Sequence, residues 1–385
     1  MTNAVTVGGA AARKPTKRPA KLVPDDAFAN AQVSLFQSFL ANSDDERRAL
    51  SNAIDLWDSI PRYSIPRKKE EELRMQGGFL PNRTVEFQYR GTCYRGEIRP
   101  ARLNVKDKSG KLTGATIEHY PSAREELIEH ALRKLAAEKD QGFYDQPDFR
   151  SGVAFSLHRL RQELSDQGHS MTFESLTEGL EVLHGATLRL IDASSDPDDP
   201  SILSQAYLPA LGKVNKKGRA SDPDAKWYVQ FHGLVTNSIN QITYRQFNYQ
   251  HLMKCSTQLA RWLMSQLVLK FTNAGMGTEF KMKFSTIQRD SGLLNGYTRP
   301  RDAFAALDLA WAEVRNGGVL TDVKKEEERG VRAKIVDVTY TLTPSRQFAT
   351  EQKAANRRNL DAREAPRQQP LLEHAKEPRR FGGAR

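Results

Sequence analysis

The chain has 385 residues, of which 38% are hydrophobic and 27% charged, and a formal net charge of +11. That length can bury two modest cores, since domains usually run ~100–200 residues each, whereas the longest apolar runs fall far short of the ~20 residues that a bilayer-spanning helix needs. The positive balance favours a polyanionic partner, nucleic acid ahead of an acidic membrane surface, because each Lys or Arg that meets a phosphate releases condensed counterions.

The first stretch, "MTNAVTVGGAAARKPTKRPAKLVP", carries five basic residues and no acid and is rich in Ala, Gly and Pro. Residues 1–30 therefore read as a disordered basic leader, because such a composition cannot bury enough surface to offset ordering entropy. It lacks the apolar segment of a secretory signal, so cytoplasmic residence is the expectation. Next comes "AQVSLFQSF", which can be an amphipathic helix with Phe36, Phe39 and Leu40 turned inward. The rival reading is a linear motif in which Gln32 hydrogen-bonds and Leu35 and Phe36 enter apolar pockets of a partner. Residues 31–59 are assigned to this motif and a short helix.

Two similar runs of elements follow. In "SAREELIEHALRKLAAEKD" the pair Ser122 and Glu125 forms a capping box, and Leu127, Ile128, Ala131, Leu132 and Leu135 share one face. A short strand, Val153 to Phe155, then hands over to Ser156, which can cap a helix bearing Leu157, Leu160 and Leu164. After the turn "SDQGHS", Phe173, Leu176, Leu180 and Leu183 define a second helix that stops at Gly185, and "ATLRLID" reads as the closing strand. The later run repeats this order. "STQLARWLMSQLVLKF" is a helix, "FKMKF" a strand with Ser285 as cap, "LLNGYT" a turn, and "RPRDAFAALDLAWAEVRNGG" a helix with Phe304, Leu307, Trp311 and Val314 inward. "VLTDV" closes the second unit.

Long helix, strand, short helix, turn, second helix and strand is the order of a winged helix, and it occurs twice. The fold expectation is α+β, two tandem winged-helix domains at 60–235 and 236–344, with disordered tails at both ends. The tail 345–385 is charged and broken by proline. The first wing joins "SILSQAYLPALG" to "KWYVQFHGLV" and gathers Lys213, Lys216, Lys217 and Arg219 at its tip, suited to phosphates or simply to solvent. The second wing tip, "KKEEERGVR", is mixed in charge.

A groove-reading helix places its N-terminal residues against base edges. In the second unit those are Arg299 and Arg301, whose forks suit guanine O6 and N7, with Asn295, Tyr297 and Thr298 alongside. Asp302 can accept from cytosine N4 or cap the helix, and capping is preferred. Asp308 and Glu313 would repel phosphates, so only the first two turns should meet DNA. The matching start in the first unit, His169, Ser170, Thr172 and Glu174, is nearly neutral and suits weak phosphate or protein contact. Catalysis finds no foothold: Gly110-Lys111 and Gly212-Lys213 lack the Ser or Thr of a nucleotide loop, and the histidines are scattered. Cys93 and Cys255 are alone, so no metal site, disulfide framework or cofactor is expected, and the chain reads as non-enzymatic.

The segment Gln32, Val33, Ser34, Leu35, Phe36 resembles the pentapeptide Gln-Leu-Ser/Asp-Leu-Phe with which bacterial proteins bind the replicative sliding clamp, and departs from it conservatively at Val33. Together with the doubled winged helix, with Ile65-Pro66-Arg67 leading into a hairpin at Tyr89-Arg90-Gly91, and with Thr298-Arg299 opening the last helix, the chain resembles the plasmid replication initiators. The likeness is greatest to the TrfA type, over residues 31 to 343. What the resemblance implies is binding of double-stranded origin DNA at tandem direct repeats (iterons), opening of a neighbouring A·T-rich segment, and recruitment of host initiator, replicative helicase and sliding clamp. It further implies homodimers, formed through the first domain, that restrain plasmid copy number. A loop at 104–121, Asp302 and Asp308 in the last helix, and a longer C-terminal tail depart from the family pattern. The alternative from another class is a winged-helix transcriptional repressor occupying an operator.

Overall fold

The computed structural model describes residues 48–364 apart from 108–109, 139–140, 146–147, 195–200, 215–224 and 332–334. The chain enters through strand β1 (Leu50–Ile54), every residue of which is buried, and a short helix α1 (Asp55–Ser59). Helix α2 (Arg67–Gly77) then precedes an antiparallel pair, β2 (Arg83–Tyr89) and β3 (Thr92–Arg99). The sequence places Ile65-Pro66-Arg67 directly before this hairpin, but an 11-residue helix intervenes. Arg90 (φ 49°) and Gly91 (φ 85°) make the hairpin's two-residue turn, the positive-φ pair whose twist matches that of the flanking strands. Residues expected as a loop form a second hairpin, β4 (Ala101–Lys106) with β5 (Leu112–His119). Its tight end is closed by the Asp107 carboxylate, which accepts from the Lys111 backbone at 3.0 Å, and by Gly110 at φ 82°.

The first unit begins with α3 (Ala123–Ala136), where the Glu125 carboxylate reaches back to the Ser122 N–H at 2.9 Å. It continues through β6 (Gly142–Asp145), β7 (Arg150–Ser156), α4 (Leu157–Asp166) and α5 (Phe173–Gly185). Ser156 Oγ accepts from the Arg159 N–H at 3.1 Å and fixes the start of α4, a cap worth ~0.5–2 kcal/mol. Leu160 and Leu164 of α4 meet Leu176, Leu180 and Leu183 of α5 in a core with no exposed surface at any of the five. Burial of each such side chain contributes ~1.5–3 kcal/mol.

After α5 the expectation needs correction. The strand β8 (Thr187–Asp192) does not close the winged helix. It pairs with β3 on one side and with β9 (Ile202–Ala206) on the other, in a sheet ordered β2-β3-β8-β9. The wing is built instead by β10 (Ala210–Val214) and β11 (Lys226–Gln230), so "SILSQAYLPALG" is two strands in two sheets. In the resulting sheet, β10-β11-β7-β6, β11 lies against β7 so closely that a Cβ on Gly152 would sit 2.0 Å from the Val229 carbonyl. Only glycine allows that approach.

A linking region, α6 (Gly233–Gln241), β12 (Tyr244–Asn248) and α7 (Tyr249–Met253), leads to the second unit. That unit comprises α8 (Gln258–Lys270), β13 (Phe280–Lys283), α9 (Phe284–Ser291), α10 (Pro300–Asn316), β14 (Leu320–Arg329) and β15 (Ile335–Pro344). Its sheet order, β13-β15-β14, matches β7-β11-β10 of the first unit strand for strand. The fold is α+β, two tandem winged helices, the first enlarged by the inserted pair β8 and β9. In the second wing the residues read as its tip, Lys324 to Arg329, belong to the arm β14, because they pair with β15 from Lys324 opposite Thr341 to Arg329 opposite Ile335. Ser285 does not cap α9 either: its hydroxyl donates to Asp337 of β15 at 2.6 Å, and Lys283 holds the cap position.

Two terminal segments fasten the units together. β1 pairs antiparallel with β12, Leu50 opposite Asn248, so residues 50–59 belong to the body rather than to a separate N-terminal segment. Residues 346–364, expected as disordered tail, form helix α11 (Arg346–Glu364) against β12. Phe348 is buried beside Phe271, and Arg245 of β12 donates to Gln352 and Asn356 at 2.8 and 2.7 Å. A polar composition misleads here because few apolar residues, at helical spacing, suffice once a sheet face awaits them. Residues 365–385 lie outside the described residues, as do 1–47.

The junction between the units is charged and buried. Arg133 of α3, fully buried, donates to Asp58 at 2.7 and 3.0 Å, and Arg62 donates to both Asp58 and Glu129 at 3.0 Å. Trp57 Nε1 donates to Glu129 at 2.6 Å, and the Tyr63 hydroxyl donates to the same carboxylate. Burial opposes ionisation of Asp58 and Glu129, but Arg133 and Arg62 outweigh it, leaving Asp58 well below the carboxylate range and Glu129 at about 2. From the second unit, Gln258 donates to the Tyr63 carbonyl at 2.7 Å, Gln266 to the Asp58 carbonyl at 3.3 Å, and Arg261 to Glu126 of α3 at 2.9 Å.

Candidate nucleic-acid interface

The turn that leads into α10 opens at Gly292, whose φ of 64° ends α9 and whose missing side chain admits Ser64 Oγ at 3.0 Å from the Cβ position. Pro300 occupies the first turn, where its fixed φ is pre-organised for a helix and its missing donor costs nothing. Ala303, Phe304, Leu307, Ala310, Trp311 and Val314 face the core. Phe304 packs edge-on against Phe284 of α9 with centroids 4.4 Å apart, and Trp311 against Tyr340 of β15. The opposite face is therefore open.

Asn295, Tyr297, Thr298, Arg299 and Arg301 are all exposed, in sequence, along the turn and first helical residues. The Arg299 side chain makes no hydrogen bond or ion pair among the described residues. Arg301 is 76% exposed and touches only its neighbour Asp302, at 3.4 Å. Asp302 is exposed and makes no side-chain cap; the cap position is Arg299. Two freely held guanidinium groups at the start of an open second helix can reach the base edges of a major groove.

The acids further along are accounted for inside the protein. Asp308 accepts from the Lys325 ammonium of β14 and from the Tyr340 hydroxyl of β15, each at 2.7 Å. Glu313 accepts from the backbone N–H groups of Ser256 and Thr257 at 2.9 and 3.1 Å and from Ser256 Oγ at 2.9 Å, ahead of α8. A carboxylate there satisfies otherwise orphaned donors and complements the helix dipole. Nothing in the local pattern of α10 signals these pairings, since both partners are distant in sequence.

The first unit offers less. His169 Nε2 lies 2.8 Å from the Met253 carbonyl and Thr172 caps α5 through the Ser175 N–H, so both have structural work. Glu174, Glu178 and Glu181 follow at four- and three-residue spacing on the outer side of α5, and Glu178 is tied to Arg124 at 2.9 Å. Ala101, at the base of the β4–β5 hairpin, closes over Gly185 at the end of α5. In the wing, the Lys213 ammonium lies over the Trp227 ring at 5.4 Å. Lys216, Lys217 and Arg219 lie outside the described residues, as do Gln32, Val33, Ser34, Leu35 and Phe36. The hairpin adds two exposed cations that the loop reading passed over, Lys106 and Lys111.

These features define a tandem winged-helix protein with its open helix in the second unit. No family model matches the sequence, and no curated protein matches it. Among solved structures, domains 2 and 3 of RctB are similar at a TM-score of 0.42 with 11% identity, over 68% of this chain and 91% of that one. A second RctB structure of the same domains gives 0.41 and 10%, over 71% and 94%. The Pi initiator protein in complex with iteron DNA gives 0.32 and 11%, over 78% and 99%. Among the described residues, no helix is long and apolar enough to cross a membrane, and no three His, Cys, Asp or Glu side chains gather as metal ligands do.

Proposed function

We propose that the chain is a plasmid replication initiator of the TrfA type, acting without catalysis by gripping iterons at an origin and bringing host proteins to it. The observation that carries this reading is the pair Arg299 and Arg301, unencumbered at the start of α10 while Asp308 and Glu313 are engaged internally. Asn295, Tyr297 and Thr298 extend the contact. Lys213, with Lys216, Lys217 and Arg219 of the first wing, grips phosphates on the neighbouring turn of the duplex. The acidic outer side of α5 repels phosphates, so the first unit contributes its basic wing rather than a second base-reading helix. Gln32 to Phe36 hook the sliding clamp, host initiator and helicase assemble on the opened A·T-rich segment, and self-association through the first unit limits copy number.

Footprinting on the DNA that flanks the gene tests the reading. Protection of several direct repeats, together with capture of the clamp by a peptide of residues 25–45 and its loss on Leu35→Ala with Phe36→Ala, is the expected result. Protection of a single inverted repeat with no clamp capture would instead establish an operator-binding repressor.

A further inference from the structure

Between its first turn and the exposed Arg315 and Asn316 at its end, the open face of α10 presents Ala305 and Leu309, neither of which can hydrogen-bond a base. Arg301, Ala305 and Leu309 follow one another at four-residue spacing, opposite the buried stripe of Phe304, Leu307 and Trp311, and Leu309 is 67% exposed. At 1.5 Å per residue, Ala305 lies about 6 Å and Leu309 about 12 Å along the axis from Arg301. Of the acids flanking this stripe, Asp302 is exposed beside Arg301, whereas Asp308 is held by Lys325 and Tyr340, and Glu313 by Ser256 and Thr257. Leu309 is left open on this face, which begins with Arg301, just after Arg299 at the helix start.

An apolar side chain in a major groove can distinguish bases in one way, by contact with the C5-methyl group of thymine, which cytosine and the purines lack. We infer that α10 reads its site in two chemistries, guanine at Arg299 and Arg301 and thymine methyl groups at Ala305 and Leu309. This rests on the origin-binding reading above and specifies what that site recognises. Leu309 has the reach for the methyl group further from the groove floor, and Ala305 lets the helix approach closely enough for Leu309 to touch it.

The test uses the full chain and duplexes carrying the direct repeats that flank its gene, synthesised with thymine or with deoxyuridine, which keeps every hydrogen-bonding group and removes only the methyl. Wild type should bind at least three- to tenfold more weakly when one or two specific thymines per repeat are replaced. Leu309→Ala should bind the thymine duplex more weakly and no longer distinguish the two, while Leu309→Met should retain the discrimination. Equal wild-type affinity for the fully thymine and fully deoxyuridine repeats, or undiminished discrimination by Leu309→Ala, would overturn the inference alone. Failure of wild type to prefer the repeats over scrambled duplex would overturn the origin-binding reading, and this inference with it.

Discussion

The Asp308 carboxylate on α10 accepts the hydroxyl proton of Tyr340 on β15 at 2.7 Å. Burial of the phenol, followed by this bond, pushes the Tyr340 hydroxyl far above its ordinary pKa, so it remains a donor throughout the working range. The bond fixes the helix to its wing and, beside the Lys325 ammonium that offsets the carboxylate's charge, holds Asp308 in place. Tyr340→Phe should cost ~1.5–3 kcal/mol, the usual worth of a hydrogen bond to a charged group. Urea denaturation of the two proteins measures it; an unchanged midpoint would mean that Lys325 alone holds Asp308.

For the groove contacts, Arg299→Ala and Arg301→Ala should each weaken binding to the repeats by ~1–3 kcal/mol and relax discrimination at one base pair. Lys213→Ala should weaken binding evenly across sequences and lower the salt slope by about one. Titrations by fluorescence anisotropy at several salt concentrations separate these outcomes. Full affinity in Arg301→Ala would move the reading helix elsewhere.

The buried junction should be intolerant of a missing partner. Glu129→Ala leaves Arg62 and Arg133 with one carboxylate, Asp58, between them. Breaking such a pair costs ~3–5 kcal/mol, because a charge remains in a place water cannot reach. Denaturant unfolding of this variant and of wild type, followed by circular dichroism, provides the measurement.

Acid should loosen the same region early. Burial, with Arg133 beside it, holds His130 down to about 3, and burial, with Arg62 nearby, does the same to His232, which stacks on Trp57 at 4.5 Å. Both imidazoles titrate near 6.5 when unfolded. The unfolded chain therefore binds more protons than the native one from about pH 6.5 downwards, and stability falls as pH falls through that window. Glu129 and Asp58, whose folded values are depressed, add a further loss below about pH 4.5. A denaturation midpoint that stays constant from pH 8 to pH 5 would contradict the neutral, buried state of both rings.

Helix α11 should behave as part of the body. Phe348→Ala removes a ring that is 1% exposed and packed near Phe271, a change that costs ~3–5 kcal/mol in a core. A chain ending at residue 345 should unfold at lower denaturant than one ending at residue 364. Equal stability of the two would restore the reading of this segment as a tail.

How much of the fold was legible depended on the range of the signal. The helices of both units stand in the sequence as apolar residues three and four apart, Leu176-Leu180-Leu183 and Phe304-Leu307-Trp311-Val314, with Ser156 and Ser122 marking helix starts, because side chains at that spacing share a face whatever surrounds them. The order of elements, and the placing of Arg299 and Arg301 at the start of an exposed helix, follow from the same local rules. Strand partners do not. "ATLRLID" has the pattern of any half-buried strand, and its pairing with β3 instead of β7 depends on residues ninety positions earlier. Likewise "KKEEERGVR" reads as a loop by charge, and "RQFATEQKAANRRN" as a tail by polarity, until β15 and β12 supply the surfaces that hold them. By itself the sequence determined the helices of the two winged units, which of their faces are apolar, and where the free arginines lie, but not α2 or α11. Only the tertiary structure decided that Asp308 and Glu313 are engaged by Tyr340 and by the α8 N-terminus, because the energy of a carboxylate depends on donors brought to it by the fold and not on its neighbours in the chain.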